Sequence, residues 1–390
     1  MPKHRGKIAE GVRHMIPIAE PSLGIEELTN VVQAIESGWI SSQGKFILEF
    51  EQKFAHYCGA QYGVATSNGT AALHLALEAL GVGKGDEVIV PTLTFIATAN
   101  AVTYSGAKPV LVDSHPAYWC LNPDCIEERI TKRTRAIIPV HLYGHPCDME
   151  AITAIASRHN LYVIEDAAEA HGAAFQGKKV GSFGHINCFS FYGNKIISTG
   201  EGGMCLTNDE DLAQNMRILR DHGSSPVRRY WCDVVGFNYR MTNLQAAVGS
   251  AQVDKLAKLV ATRRQILTWY NDALRHCAEL GVIRLPPQMP WADSVCWLYS
   301  ILIEDSFGMT RDEIIEELRQ RDIETRPFFY PLHVMPPYLK RSPTFPVAEE
   351  LARKGLSLPS SSKLGQGEVT KIVDCISALH KSRHQKASSR

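Results

Sequence analysis

The sequence predicts an α/β protein in which a mainly parallel central sheet is flanked by helices on both faces. Short apolar runs alternate with amphipathic stretches such as residues 149–159, and this alternation is typical of parallel strands joined by crossover helices. The runs lie at residues 87–90, 109–112, 136–140 and 162–164. Because a chain of 390 residues exceeds one small core, we expect one large and one smaller domain.

The second half of the chain predicts where the domains divide. Residues 244–274 form one long helical pattern without an early breaker, which suits a connector helix. A proline-rich loop at residues 286–290 precedes a strand at 300–303 and helices at 311–321 and 368–379, a pattern that indicates an α+β domain. We therefore predict four parts: a flexible N-terminal tail (1–15), a large α/β domain with the connector (16–275), a small C-terminal domain (276–379) and a flexible basic tail (380–390).

The composition agrees with a soluble enzyme. Lys plus Arg and Asp plus Glu both total 41, so nothing indicates a nucleic-acid surface. The ten cysteines are scattered without a C-x-x-C pair, and we expect them to be reduced and mostly buried. His141, His145 and His171 lack the spacing of helical metal ligands, so no metal is expected. The sequence has no signal-peptide core or membrane-length apolar run, which predicts a cytoplasmic protein without a membrane partner.

Lys195 lies in a short, polar, glycine-rich segment, residues 189–203, directly after an apolar strand. An amine in such a place can form a Schiff base with an aldehyde cofactor, because a glycine-rich loop lets the cofactor approach closely. Most lysines between strands are solvated surface charges, and this segment alone leaves that alternative open.

Two upstream segments support a cofactor site. Asp166 follows the apolar run at residues 161–164 and so lies at the carboxyl end of a buried strand, where open α/β sheets bind ligands. It could pair with a protonated pyridine nitrogen, although a helix N-cap is an equally good interpretation. The turn before the helical residues 71–77 is Ser67, Asn68, Gly69 and Thr70. Its backbone N–H groups could hold a phosphate, and an ordinary capping turn would look much the same.

Together, residues 66–77, 165–172 and 189–203 resemble the sugar aminotransferases of the DegT/DnrJ/EryC1/StrS family. The resemblance extends over residues 16–379. It implies the fold-type I architecture and pyridoxal 5′-phosphate as cofactor. In that interpretation Lys195 is the Schiff-base lysine, Asp166 contacts the pyridine nitrogen, and the turn at residues 67–70 binds the phosphate.

Further segments extend this resemblance. Residues 91–98 resemble the ring-stacking element of the family, with Phe95 on the cofactor ring, and residues 236–247 resemble its dimer segment. The resemblance implies a homodimer with shared active sites, in which Asn238 reaches the cofactor phosphate of the neighbouring subunit. Glu169 should lie beside the 3-hydroxyl of the cofactor. Ser190 should donate to the phosphate, unless neighbouring backbone satisfies it.

Residues 141–149 and 325–333 resemble family members that aminate GDP-4-keto-6-deoxy-D-mannose at C4. This implies a nucleotide-sugar substrate with L-glutamate as the donor, and it makes Arg240, Tyr330 and His333 candidates for the sugar contacts. An interfacial ion pair for Arg240 and a packing role for the 325–333 loop are the alternatives.

Other functions stay open at this point. A UDP- or dTDP-linked keto sugar would use the same chemistry, and a non-catalytic regulator could share the fold. A sugar dehydratase is disfavoured, because such relatives carry histidine in place of Lys195. A nicotinamide dehydrogenase would need a glycine fingerprint after its first strand, whereas the glycines of residues 81–85 have the spacing of a helix stop.

Overall fold

The computed structural model describes residues 15–339 and 343–388 of the chain. The α-helices in these residues are α1 (Ile25–Glu36), α2 (Lys45–Cys58), α3 (Gly69–Ala79), α4 (Ala97–Tyr104), α5 (Met149–Arg158), α6 (Glu210–Arg220), α7 (Asn243–Glu279), α8 (Arg311–Arg319), α9 (Pro346–Lys354) and α10 (Gln366–Ser388). The strands are β1 (Tyr62–Thr66), β2 (Glu87–Pro91), β3 (Lys108–Val112), β4 (Thr134–Ile137), β5 (Tyr162–Asp166), β6 (Ala174–Phe175), β7 (Lys178–Lys179), β8 (Ile186–Ser190), β9 (Gly203–Thr207), β10 (Ile283–Arg284), β11 (Ala292–Asp293), β12 (Tyr299–Ile303), β13 (Arg326–Pro327) and β14 (Gly355–Leu358).

The central sheet has seven strands in the order β1-β9-β8-β5-β4-β2-β3. Neighbouring strands are parallel except at β9, which runs antiparallel to both β1 and β8. Every residue of β2 and of β9 is buried, as expected when helices cover both faces of a sheet. The predicted mainly parallel α/β sheet is therefore confirmed.

The connector helix α7 is longer than the predicted pattern at residues 244–274. It begins after Thr242, whose side chain accepts a hydrogen bond from the Gln245 N–H while the Gln245 side chain bonds back to Thr242. Such a capping box satisfies two N–H groups that the first helical turn leaves free. Gly281, which follows the helix with a φ of 67°, is suited to the left-handed turn at a helix end.

A second hydrophobic cluster surrounds a four-stranded antiparallel sheet of order β10-β12-β14-β13. The last turns of α7 contribute Ile266, Tyr270 and Leu274 to this cluster. Ile16 joins it as well, through a parallel bridge to Ile323. The first and larger hydrophobic cluster of the protein includes side chains from residues 328–352. The C-terminal part of the chain therefore contributes to both clusters. The division at residue 275 stays a prediction.

The predicted tails lie at the limits of the described structure. Residues 1–14 of the N-terminal tail and residues 389–390 lie outside the described residues. Helix α10 continues to Ser388, beyond residue 379, where the sequence pattern predicted the helix to end. No helix within residues 15–339 and 343–388 has the length and apolar character needed to cross a membrane.

Candidate active site

The predicted site residues lie at the ends of three strands of the central sheet. Thr66 ends β1, Asp166 ends β5 and Ser190 ends β8. These strands run in the same direction, because β1 and β8 are both antiparallel to β9 and β5 is parallel to β8. Their carboxyl ends therefore meet at one edge of the sheet, which is where open α/β sheets bind ligands.

The turn that leads into α3 forms a cradle for an anion. Asn68 is the N-cap of α3, and its side chain accepts a hydrogen bond of 2.8 Å from the Ala71 N–H. The N–H groups of Gly69 and Thr70 precede any helical acceptor, so they are available to a ligand. A Cβ built on Gly69 would lie 2.8 Å from the Ser190 Cβ. Only glycine therefore lets the turn pack against Ser190, and the geometry fits a phosphate held between them.

Asp166 is a buried carboxylate with two donors from the protein. Its Oδ2 accepts a hydrogen bond of 2.8 Å from Thr98 Oγ1, and its Oδ1 accepts one of 3.2 Å from the Ala168 N–H. Burial raises the pKa of Asp166, and these donors and the charge of Lys195 only partly oppose the effect. A buried carboxylate of this kind gains from a cationic partner such as a protonated ring nitrogen. The segment after Asp166 consists of turns, so the N-cap interpretation does not apply.

Lys195 is buried rather than solvated, with 9% of the residue exposed. Its Nζ lies 3.8 Å from Glu169 Oε1 and 3.7 Å from the centre of the Trp297 ring. Burial lowers the pKa of Lys195, while Glu169 and Asp166 act in the opposite direction. The amine therefore loses its proton more readily than a surface lysine does, which favours its use as a nucleophile and base.

Glu169 lies beside the lysine, and Phe95 presents an exposed ring. Glu169 Oε2 accepts a hydrogen bond of 2.7 Å from the Tyr143 N–H. Burial raises the pKa of Glu169 to about 7, so this carboxyl can gain or lose a proton near neutral pH. The Phe95 side chain is 55% exposed, and its ring lies 5.7 Å from that of Phe329. Phe95 thus has a free aromatic surface that a planar ligand could cover.

The residues predicted for the dimer segment and the sugar contact each other within the chain. Arg240 Nε donates a hydrogen bond of 3.0 Å to Asn238 Oδ1, and Arg240 Nη1 lies 2.7 Å from Asp221 Oδ1. The segment runs beside the turn at residues 67–70, because the Ser67 N–H donates to the Tyr239 carbonyl over 2.8 Å. Arg240 thus forms an ion pair within the chain, and the interfacial ion pair that was the alternative for it also stays a prediction. Binding roles for Asn238 and Arg240 stay predictions.

The two other candidates for sugar contacts differ in accessibility. Tyr330 is 58% exposed. His333 is buried, and its ring nitrogens lie 2.7 Å from Thr92 Oγ1 and 3.1 Å from Glu349 Oε1. Because both nitrogens of His333 have partners, the packing alternative describes this residue better. A substrate role for Tyr330 and for His333 stays a prediction.

Sequence reasoning missed three contributors to the site. Thr98 lies within the ring-stacking segment, but nothing in the sequence indicates that its hydroxyl donates to Asp166. Tyr143 binds Glu169 through its backbone, which side-chain patterns do not reveal. Trp297 is distant in sequence from Lys195, and no local signal pairs the two. His141, considered only as a metal ligand, instead contacts Glu165 Oε2 over 2.9 Å. Within the described residues, no group of three potential ligands could hold a metal.

The comparisons agree with this geometry. Residues 21–377 match the model of the DegT/DnrJ/EryC1/StrS aminotransferase family. The GDP-perosamine synthase of Caulobacter vibrioides is 49% identical over 360 residues, which are 92% of this chain and 96% of that protein. The GDP-perosamine synthase of Escherichia coli O157:H7 is 44% identical, over 94% of this chain and 98% of that protein.

Solved structures agree as well. DesV of S. venezuelae has a TM-score of 0.88 at 36% identity, over 94% of this chain and 99% of that chain. The putative sugar aminotransferase Spr1654 from Streptococcus pneumoniae in its PLP form has a TM-score of 0.88 at 28% identity, over 95% of this chain and all of that chain. The predictions of an aminotransferase fold and a pyridoxal phosphate cofactor are confirmed. The chain belongs to the DegT/DnrJ/EryC1/StrS aminotransferase family.

Proposed function

We propose that this chain uses pyridoxal 5′-phosphate to convert GDP-4-keto-6-deoxy-D-mannose to GDP-perosamine, with L-glutamate as the amino donor. The observation that carries the proposal is a buried Lys195 beside Asp166 and Glu169. It occurs in a chain that is 40–49% identical to three relatives named GDP-perosamine synthase.

The residues described above would hold the cofactor at its ring nitrogen, its phosphate and its ring face. Asp166 would face the ring nitrogen, the turn at residues 67–70 and Ser190 would bind the phosphate, and Phe95 would cover the ring. When bound, the cofactor supplies an electron sink for negative charge at the carbon that bears the amine.

Lys195 is the proton carrier in this proposal. In the first half of the reaction its free Nζ would take the proton from Cα of glutamate. In the second half of the reaction the same Nζ delivers a proton to C4 of the sugar. Burial favours the neutral amine, which the first of these steps requires. Glu169, with a pKa of about 7, can adjust the charge beside Lys195 between the two steps.

We also propose a homodimer in which Asn238 serves the active site of the partner subunit. Several large apolar side chains on α1 and just after it are exposed, and a patch of this kind is typical of an interface. They are Leu28, Val32, Ile35, Trp39 and Ile40. Light scattering at assay concentration should therefore give the mass of a dimer, and a fully active monomer would refute a shared site. The free cysteines of the chain suit the reducing cytoplasm, where we place the reaction.

The test of the substrate is a comparison of kcat/KM for GDP-, UDP- and dTDP-linked 4-keto-6-deoxyhexoses with glutamate as donor. We expect the GDP sugar to be preferred, because a pocket that pairs polar groups with one substrate rejects analogues that leave those groups unpaired. Preference for a dTDP sugar would overturn the GDP assignment and leave an aminotransferase. A relative named dTDP-3-amino-3,4,6-trideoxy-alpha-D-glucose transaminase, from Streptomyces venezuelae, is 37% identical. For this reason the panel includes a dTDP-linked sugar.

The test of the lysine is independent of the sugar. Borohydride treatment of the purified holoenzyme should attach the cofactor permanently to the peptide that contains Lys195. Lys195→Ala should abolish transamination with every sugar in the panel. If that variant kept full activity, Lys195 would not be the proton carrier.

A further inference from the structure

Trp297 covers the amine of Lys195. The Lys195 Nζ lies 3.7 Å from the centre of the Trp297 ring, and both residues are buried, with 9% and 4% of their surface exposed. An ammonium this close to an indole face is attracted by the negative charge of the ring face, and the attraction is larger when water is excluded.

The ring of Trp297 is held in place from several directions. Its Nε1–H donates a hydrogen bond of 2.8 Å to the carbonyl of Asn194, the residue before Lys195. Its backbone N–H donates to the Tyr143 carbonyl over 3.1 Å, and its carbonyl accepts from Arg263 Nη1 over 2.5 Å. Rotation of the indole would break the bond to Asn194. The same side chain therefore fixes both the lysine segment and the ring face above the amine.

The titratable groups around Lys195 separate the effect of the ring from that of charge. Glu169 and Asp166 favour the ammonium. His171 is also near, but burial lowers the pKa of this histidine to about 3, so it is neutral at working pH. Arg263 is almost fully buried, and its Nη1 donates a hydrogen bond to the Trp297 carbonyl. Replacing the Trp297 side chain leaves all four groups in the chain. Because water that enters in place of the ring would raise the pKa of Lys195, a fall in this pKa reports the loss of the ring face.

We propose that Trp297 positions Lys195 whenever its amine is free, with the ring face holding the ammonium and the indole N–H holding the segment that carries it. This rests on the proposed function only in taking Lys195 as the working amine. Loss of the ring should make the ammonium less stable, so Lys195 should titrate at lower pH. Loss of a buried cation–π contact should lower the pKa of the lysine by about 0.5 to 1.5.

The experiment uses the full-length apoprotein and measures the rate of pyridoxal phosphate capture against pH, followed by the absorbance of the bound cofactor. The midpoint of this profile reports the pKa of Lys195. Trp297→Leu removes the ring face and should shift the midpoint down by the amount above. Trp297→Phe keeps a weaker face and should shift the midpoint less. Trp291→Leu, a matched control at a tryptophan that packs against Phe175, should leave the midpoint unchanged.

A midpoint in Trp297→Leu equal to that of the wild type would overturn the proposal. If that variant does not fold, the fluorescence of the wild-type apoprotein tests the contact between Lys195 and Trp297. The indole emission should change as Lys195 titrates, and this change should be absent in both Lys195→Met and Trp297→Phe. Persistence of the change in Lys195→Met would refute the contact. None of these measurements involves a sugar, so failure of the GDP assignment would leave them unaffected.

Discussion

Thr98→Val tests how the protein stabilises the charge on Asp166. The Thr98 hydroxyl donates to Asp166 Oδ2 over 2.8 Å, and both residues are buried. A hydrogen bond to a charged group contributes about 1.5–3 kcal/mol. Because one pKa unit corresponds to about 1.4 kcal/mol, loss of the donor should raise the pKa of Asp166 by about one to two units. Valine keeps the shape of threonine, so the change is confined to the hydroxyl.

The sign of the effect on stability follows from the raised pKa of Asp166. A carboxyl whose pKa is higher in the folded chain favours folding at low pH, and this contribution is lost as pH rises through the folded pKa. Thr98→Val widens that difference. The apoprotein variant should therefore be less stable than the wild type by about 1.5–3 kcal/mol at alkaline pH. The deficit should shrink as pH falls and Asp166 is protonated in both proteins.

Urea unfolding of the two apoproteins across a pH series measures this difference, and absorbance titration measures the affinity for the cofactor, which should fall in parallel. Thr103→Val is the matched control, because Thr103 lies on the same helix and its hydroxyl donates to the neutral carbonyl of Ala99 over 3.0 Å. If Thr98→Val lost the same stability at every pH, or behaved like Thr103→Val, the bond to Asp166 would not control the charge.

Three further predictions concern single groups of the site. Gly69→Ala places a Cβ 2.8 Å from that of Ser190 and should weaken cofactor binding at least tenfold in an absorbance titration; Gly367→Ala, with nothing within 4 Å, should not. Glu169→Gln removes a group with a pKa of about 7, so the pH profile of transamination should flatten around neutrality, and an unchanged slope would assign that titration elsewhere. Asp166→Asn should keep its circular dichroism spectrum but lose most turnover, because an amide does not balance a protonated ring nitrogen; wild-type turnover would contradict this role.

The sequence predicted those parts of the fold in which local pattern and packing agree. The apolar runs identified β2, β3, β4 and β5, because each of these strands contains consecutive buried apolar residues. The run at residues 136–140 was too long, because β4 ends at Ile137 and Pro139 has no N–H to donate to a neighbouring strand. The direction of β9 was not predictable, because apolar periodicity is the same in either orientation.

The candidate site also contains residues that the local sequence pattern indicates and contacts that it does not. Lys195 and Asp166 were recognisable because each follows an apolar strand, where the topology brings ligands. The contacts that adjust their charge come from distant segments: Thr98 from α4, the Tyr143 backbone from a turn with a φ of 52°, and Trp297 from the C-terminal third of the chain. Such contacts depend on tertiary packing, which a single sequence does not encode in local spacing.

The antiparallel strand β9 has a consequence for how the protein folds. Within the central sheet β1 pairs only with β9, through contacts such as Thr66 with Gly203. The turn at residues 67–70, after β1, is therefore joined to β8, the strand before Lys195, only once β9 has inserted between β1 and β8. Pairings this far apart in sequence form slowly, because a long loop must close first. During refolding, recovery of cofactor binding should lag behind recovery of helical signal.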